Sequence, residues 1–430
     1  MNKKAFYCTV DELNKKGIDN IPPEFQSDKH LIYSSPATLA FNSPGAEGFG
    51  VKRAGLAIPG SVMLIVAPGC CGRNTSLISS MKEYDERFFY LMMDETDIVT
   101  GRHLKKIPKA VVEVCESLES KPSVVMICIT CVDALLGTDM ERICRKAEEK
   151  AGIPVRPCYM YALTREGRKP PMVYVRKSLY SLLLPRRKKG NVVNLLGFFS
   201  PLIDDCELYE MLREIGIKTI HEISRCKDYE EYEQMSEANF NLVMHHESRV
   251  AAEDFSDRLN IPFIELRRLY QIDKIKNQYH ALGVALGVSF DIDKYEKEAE
   301  HAVEEFRKTF PEARFAVGEC MNGDPFELSL ALVKYGFTVN EIYGTITAEN
   351  FIYIRQLTDL SPMTKIFSNM EPTMIYYDSA KSRVDFAIGK DAVYYHPDCH
   401  GIMWNGDEQP FGFAGVKKLF KEMIKIAVSQ

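Results

Sequence analysis

Three cysteines stand where two apolar runs end. Val62-Met63-Leu64-Ile65-Val66 leads into Ala67-Pro68-Gly69-Cys70-Cys71-Gly72, and Val124-Val125-Met126-Ile127 leads into Cys128-Ile129-Thr130-Cys131. A short, β-branched, uninterrupted apolar run reads as a strand buried on both faces, as in parallel sheets. Each run therefore predicts a strand whose carboxyl-terminal turn carries a thiol. Ligands of open α/β sheets collect outside those ends. Thiolate sulfur is a soft donor, so thiols placed there by two different strands could together hold a soft metal centre. Cys128 sits inside its apolar run and reads as a buried thiol. Its C-x-x-C spacing to Cys131 is not of the thioredoxin kind, which opens a helix rather than closing a strand.

Histidines are the other groups able to do chemistry. His245 and His246 lie in Met244-His245-His246-Glu247-Ser248-Arg249, after a predicted strand and before a helix. Histidine supplies protons near neutral pH, and Arg249 can hold a carboxylate. His396 and His400 bracket Pro397-Asp398-Cys399. That spacing suits substrate contacts or a metal, or simply a polar loop. Trp404, the single tryptophan, is a stacking wall or a packing residue.

Positioning these groups requires α/β architecture. Residues 1–60 read as an irregular N-terminal wrap with short helices. A first α/β domain with the cysteines follows at 61–188, and a second Rossmann-like domain at 189–310. A third, at 311–430, ends in a helix. The fold expected is three Rossmann-like domains with mostly parallel sheets. Arg186-Arg187-Lys188-Lys189, a solvated linker or a docking patch, marks the boundary between the first and second α/β domains.

Composition narrows the function. Lys and Arg number 54 against 60 Asp and Glu, a net charge of −6, which argues against nucleic acid as a partner. No apolar run approaches the roughly 20 residues that span a bilayer, and no signal segment opens the chain. A cytoplasmic protein is expected, and its 12 cysteines are then core residues or ligands rather than a disulfide framework. Walker and G-x-G-x-x-G loops are both missing, so no nucleotide is expected on this chain. Nor is there an H-E-x-x-H or G-x-S-x-G motif.

Seven blocks, taken in order, resemble the nitrogenase component 1 family. They are Ser34-Ser35-Pro36-Ala37-Thr38-Leu39-Ala40-Phe41; Pro68-Gly69-Cys70-Cys71-Gly72; Asp94 through Gly101; Thr130-Cys131 through Gly137-Thr138-Asp139; Val193-Asn194-Leu195-Leu196-Gly197; Asn241-Leu242-Val243 with Ile261-Pro262-Phe263; and Pro410 through Gly415. The resemblance implies paired subunits, an iron–sulfur cluster at their interface, and electrons from a separate ATP-hydrolysing iron protein. The family's second and third cluster cysteines fall on Cys71 and Cys131. Its first falls on Ser34, whose oxygen is a hard ligand ill suited to iron–sulfur iron. Two thiolates per chain imply one [4Fe–4S] cluster shared by two copies, or by this chain and a paralogous subunit. A further cysteine of the family, which holds the large active-site cofactor, falls near His245. Dinitrogen reduction is therefore not expected. The resemblance implies the catalytic component of a nitrogenase-like reductase acting on a small organic substrate. The alternatives are a scaffold for cluster or cofactor assembly, and a cluster-free binding protein of the same fold.

Overall fold

A computed structural model describes residues 4–26, 54–69, 86–159 and 171–429, and for Cys131 the backbone alone. Cys70, Cys71 and Ser34 lie outside the described residues, as does the helix expected from about residue 75. The strands, in chain order, are β1 (Cys8–Thr9), β2 (Ser61–Ala67), β3 (Phe88–Met92), β4 (Val124–Ile129), β5 (Val155–Tyr159), β6 (Val192–Leu196) and β7 (Thr219–His221), then β8 (Phe240–Val243), β9 (Phe263–Glu265), β10 (Arg314–Val317), β11 (Thr338–Tyr343), β12 (Lys365–Phe367), β13 (Phe386–Ile388) and β14 (His400–Ile402).

They form three sheets, in the orders β3-β2-β4-β5, β7-β6-β8-β9 and β1-β12-β11-β10-β13-β14. Every pairing is parallel except that of β1, which runs antiparallel to β12. The molecule is thus an α/β protein of mostly parallel sheets. By its contacts the chain divides into two compact units. One holds residues 1–46, 201–215 and 268–430, and the other 47–200 and 216–267.

The unbroken apolar runs have a physical reason. Successive strand residues point to opposite faces. Met63, Ile65 and Ala67 of β2 and Val124, Met126 and Cys128 of β4 enter one core. Val62, Leu64 and Val66, with Val125 and Ile127, enter another. Helices 103–117 and 140–151 cover the second core through Ile107, Val111, Val114, Ile143 and Ala147. Helices 171–180 and 249–259 contribute Val175, Leu179, Ala252 and Phe255 to the first. Both faces being dry, polar alternation would cost about 1–3 kcal/mol for each unpaired group. No described helix is long and apolar enough to cross a membrane.

The third sheet lies in the other unit. Phe306, on helix 293–309, packs against Phe315, Phe337, Phe386 and Phe420 with ring centroids 5.1–6.0 Å apart. Helix 412–429 opens on a buried carboxylate. Glu207 accepts from the Phe413 and Ala414 amides (2.7 and 3.0 Å) and from the Tyr279 hydroxyl (2.7 Å). Gly412 has φ +60°, and a Cβ there would collide with Glu207 Oε1.

Glu327, wholly buried near the start of helix 325–334, accepts from the Tyr270 amide (2.9 Å) and from the Gln271 amide and side chain (both 3.1 Å). Burial pushes its carboxyl up from 4.5 to about 7 despite these bonds. The folded state then holds this proton more tightly than the unfolded chain. Its contribution is full below about pH 4.5 and is lost as pH rises towards 7, on the order of 1–3 kcal/mol. Glu327→Gln should flatten that fall even though it forfeits the Tyr270 contact. Thermal unfolding at pH 5 to 8 checks this, and an unchanged slope would refute it.

Candidate functional site

Each sheet grows outward from one starting strand. β2 is flanked by β3 and β4, β6 by β7 and β8, and β10 by β11 and β13. The chain therefore reverses its direction of sheet growth beside β2, β6 and β10. The carboxyl ends of β2/β4, β6/β8 and β10/β13 are switch points, where open α/β sheets bind ligands.

At the first, β2 and β4 lie side by side with Val66 opposite Ile129. Pro68-Gly69 leaves one strand, and Thr130 leaves the other with Cys131 opening helix 131–136. The turns that carry Cys70-Cys71 and Cys131 thus start from neighbouring strand ends. Next to Cys131 in sequence, Thr130 and Asp133 are buried polar residues. His103 Nε2 lies 3.1 Å from Asp133 Oδ1, both residues 1% exposed. His103 Nδ1 lies 3.0 Å from the Asp97 carbonyl and must donate to it. One further proton is shared between Nε2 and Oδ1, and burial pushes the Asp133 carboxyl up. Thr138 donates to the same oxygen at 3.1 Å. Asp133 Oδ2 and Thr130 Oγ1 are buried without hydrogen-bond partners.

The second switch point holds the expected histidine pair. His245 and His246 follow β8 with rings stacked 4.5 Å apart, and Phe198 meets His245 edge-on at 6.0 Å. Gly197, at φ +146°, closes β6. A Cβ there would stand 2.8 Å from the His245 nitrogen, so only glycine lets the two turns approach. Arg176, buried on helix 171–180, donates to the Gly197 carbonyl at 2.9 and 3.3 Å and to Glu247 Oε2 at 2.6 Å. Its guanidinium covers the Phe199 ring at 4.7 Å. Glu247 in turn donates its amide to His245 Nδ1 at 3.3 Å. The Ser248 hydroxyl is buried without a partner. Arg249 is largely exposed and pairs with Glu265 at 2.6 Å. The carboxylate it was expected to hold is, in this structure, one of the chain's own.

At the third, buried Asp391 accepts from the Glu319 and Cys320 amides (3.0 and 3.1 Å). The Asn369 amide bridges Asp391 (2.6 Å) and Glu319 (2.9 Å). Burial first, and Glu319 second, push Asp391 up to about 6. His396 sits elsewhere in this unit. It is 5% exposed, with Nε2 3.0 Å from Glu341 Oε2, while the Tyr343 and Tyr377 hydroxyls donate to the same carboxylate at 2.7 and 2.6 Å. His400 opens β14, its ring 5.0 Å from Phe386. The stretch read as a metal-spaced cluster or polar loop is thus split between a buried network and a strand. Among the described residues no group of three His, Cys, Asp or Glu could hold a metal ion. Trp404 is packed, 7% exposed, donating to the Tyr270 hydroxyl at 2.5 Å.

Sequence reasoning did not single out Arg176, Glu247, His103 or Asp133 for a role. Asp133, two residues after Cys131 at a strand end, offered a signal; Arg176, 71 residues from Glu247, offered none.

With this geometry the class of protein is defined. The chain belongs to the nitrogenase component 1 type oxidoreductase family, whose model matches residues 47–426. Its fold matches the solved structure of nitrogenase Cp1 at pH 6.5 with a TM-score of 0.70, at 16% identity, covering 96% of both chains. Among curated relatives, the nitrogenase iron-molybdenum cofactor biosynthesis protein NifE of Nostoc sp. is 24% identical over 64% of this chain and 58% of its own length. NifE of Clostridium pasteurianum is 25% identical over 54% and 50%. The nitrogenase molybdenum-iron protein alpha chain of Methanosarcina barkeri is 26% identical over 36% and 30%. These alignments span about half or less of each relative's length.

Proposed function

We propose that this chain is the cluster-holding, catalytic component of a nitrogenase-like reductase. The observation that carries the reading is the β2/β4 register, which starts the two cysteine turns from adjacent strand ends. Cys71 and Cys131 are the thiolates, Cys70 the spare. The donor types fit iron–sulfur iron: cysteine thiolates in segments that continue from the neighbouring carboxyl ends of β2 and β4. Bound there, the cluster supplies low-potential one-electron transfer. Two thiolates per chain make a [4Fe–4S] cluster a property of two subunits, identical or paralogous. Component 1 proteins are multimeric and pair with an iron protein, so an ATP-hydrolysing donor of that kind is the proposed source of electrons. Substrate meets the β6/β8 end, where His245 and His246 handle protons at their ring nitrogens. Asp133 and His103 hold a buried proton beside Cys131 and order the turn.

A second reading, an assembly scaffold, is favoured by the NifE relatives. Iron and sulfide content with paramagnetic resonance after dithionite reduction, on anaerobic protein, tests both. About two irons per chain is expected. A reductase keeps its cluster through turnover, whereas a scaffold yields it to an acceptor. No iron even after reconstitution would end both.

His245→Gln should lower turnover by about 10²–10⁴-fold, the usual worth of a placed acid–base group, with iron per chain unchanged. Loss of iron would instead make the imidazole a metal ligand.

A further inference from the structure

The turn after β6 and the turn after β8 are held together by one buried side chain. Arg176 donates twice to the Gly197 carbonyl and once to Glu247 Oε2, and its plane lies on Phe199. The backbone amide of Glu247, fixed by that ion pair, points at His245 Nδ1. An N–H can be received only by a bare ring nitrogen. Were Nδ1 protonated instead, it would oppose that amide. The Glu247 carboxylate oxygen Oε2 stands 3.8 Å from Nδ1, beyond hydrogen-bond reach.

We propose that Arg176 and Glu247 are positioning residues that hold His245 as the Nε2–H tautomer, a hydrogen-bond donor to a substrate acceptor atom rather than a replacement metal ligand. The inference rests on the reading above that the β6/β8 end is where substrate meets a histidine. Ligation of a metal through Nε2 requires the proton to move to Nδ1, against the Glu247 amide. The substrate class that suits a fixed imidazole donor carries a carbonyl, carboxylate or ring-nitrogen acceptor next to the bond being reduced.

The test is long-range proton–nitrogen correlation on full-length, anaerobically purified, unreduced protein labelled with nitrogen-15 histidine. His245 is assigned by the signal missing from His245→Gln. A protonated Nε2 and bare Nδ1 are expected in the native chain. Arg176→Lys keeps the charge and loses the planar fork, and Glu247→Gln keeps the amide and loses the ion pair. Both should give mixed tautomers and shift the pH profile of turnover. Thermal unfolding confirms that each is folded, and either one alone suffices. A native Nδ1–H form, or folded variants with the native signature, would overturn the assignment. The readout is the imidazole itself. A native Nε2–H signature in a chain that reduces nothing sinks the reductase reading and leaves the positioning role standing. The reverse pattern sinks the positioning role alone.

Discussion

Cys131→Ser is expected to strip the visible iron–sulfur absorbance and most of the iron from the anaerobically purified protein. Serine keeps the size of the side chain but exchanges a thiolate for a hard, weakly acidic hydroxyl. The other oxygens near this turn are poor substitutes. Asp133 is tied to His103 and Thr138, and a lone Thr130 hydroxyl is no better than the serine. Cys71→Ser should do the same, less completely if Cys70 steps in, and the double Cys70/Cys71 variant then completes the loss. Cys128→Ala is the control. Its side chain is wholly inside the core, so iron per chain should stay native while stability falls by about 1 kcal/mol. A full cluster in Cys131→Ser would remove the ligand assignment.

The second large effect is on folding. Glu207→Ala leaves the Phe413 and Ala414 amides and the Tyr279 hydroxyl without their shared acceptor. Each buried orphan costs roughly 1–3 kcal/mol. The negative charge at the start of an 18-residue helix is lost as well. Together these reach at least about 3 kcal/mol, or roughly 10 °C in the transition of this unit. Glu207→Gln keeps one acceptor oxygen and should fall between. Calorimetry checks the order, and a Glu207→Ala transition within a degree of the native one would refute it.

Much of the scaffold was legible because burial on both faces leaves a plain mark. β2 and β4 are unbroken apolar runs, and helix 140–151 carries a strong polar face opposite Ile143, Cys144 and Ala147. Four strands went unread: β1, β12 and β14 are two or three residues long and leave little period to register, and β3, Phe88-Phe89-Tyr90-Leu91-Met92 at the edge of its sheet, was missed although its run is apolar. Distance in sequence hid the rest. His396 looked like a ligand because of its neighbours at 398–400, but its partner is Glu341, 55 residues away. His245 was singled out by its place after a strand. Arg176, proposed above as one of its positioning residues, was not, because a buried arginine on a distant helix looks in sequence like any surface arginine.

Strand β1 bears on how the chain is made. Cys8 pairs with Ile366 on the edge of the third sheet. At typical synthesis rates those two residues leave the ribosome roughly 20–70 s apart. The unit of residues 47–200 and 216–267 is completed well before then and can fold on its own schedule. The nascent chain therefore carries β1 unpaired until β12 has been made. Until that strand returns, β12 offers an open edge for other chains to join.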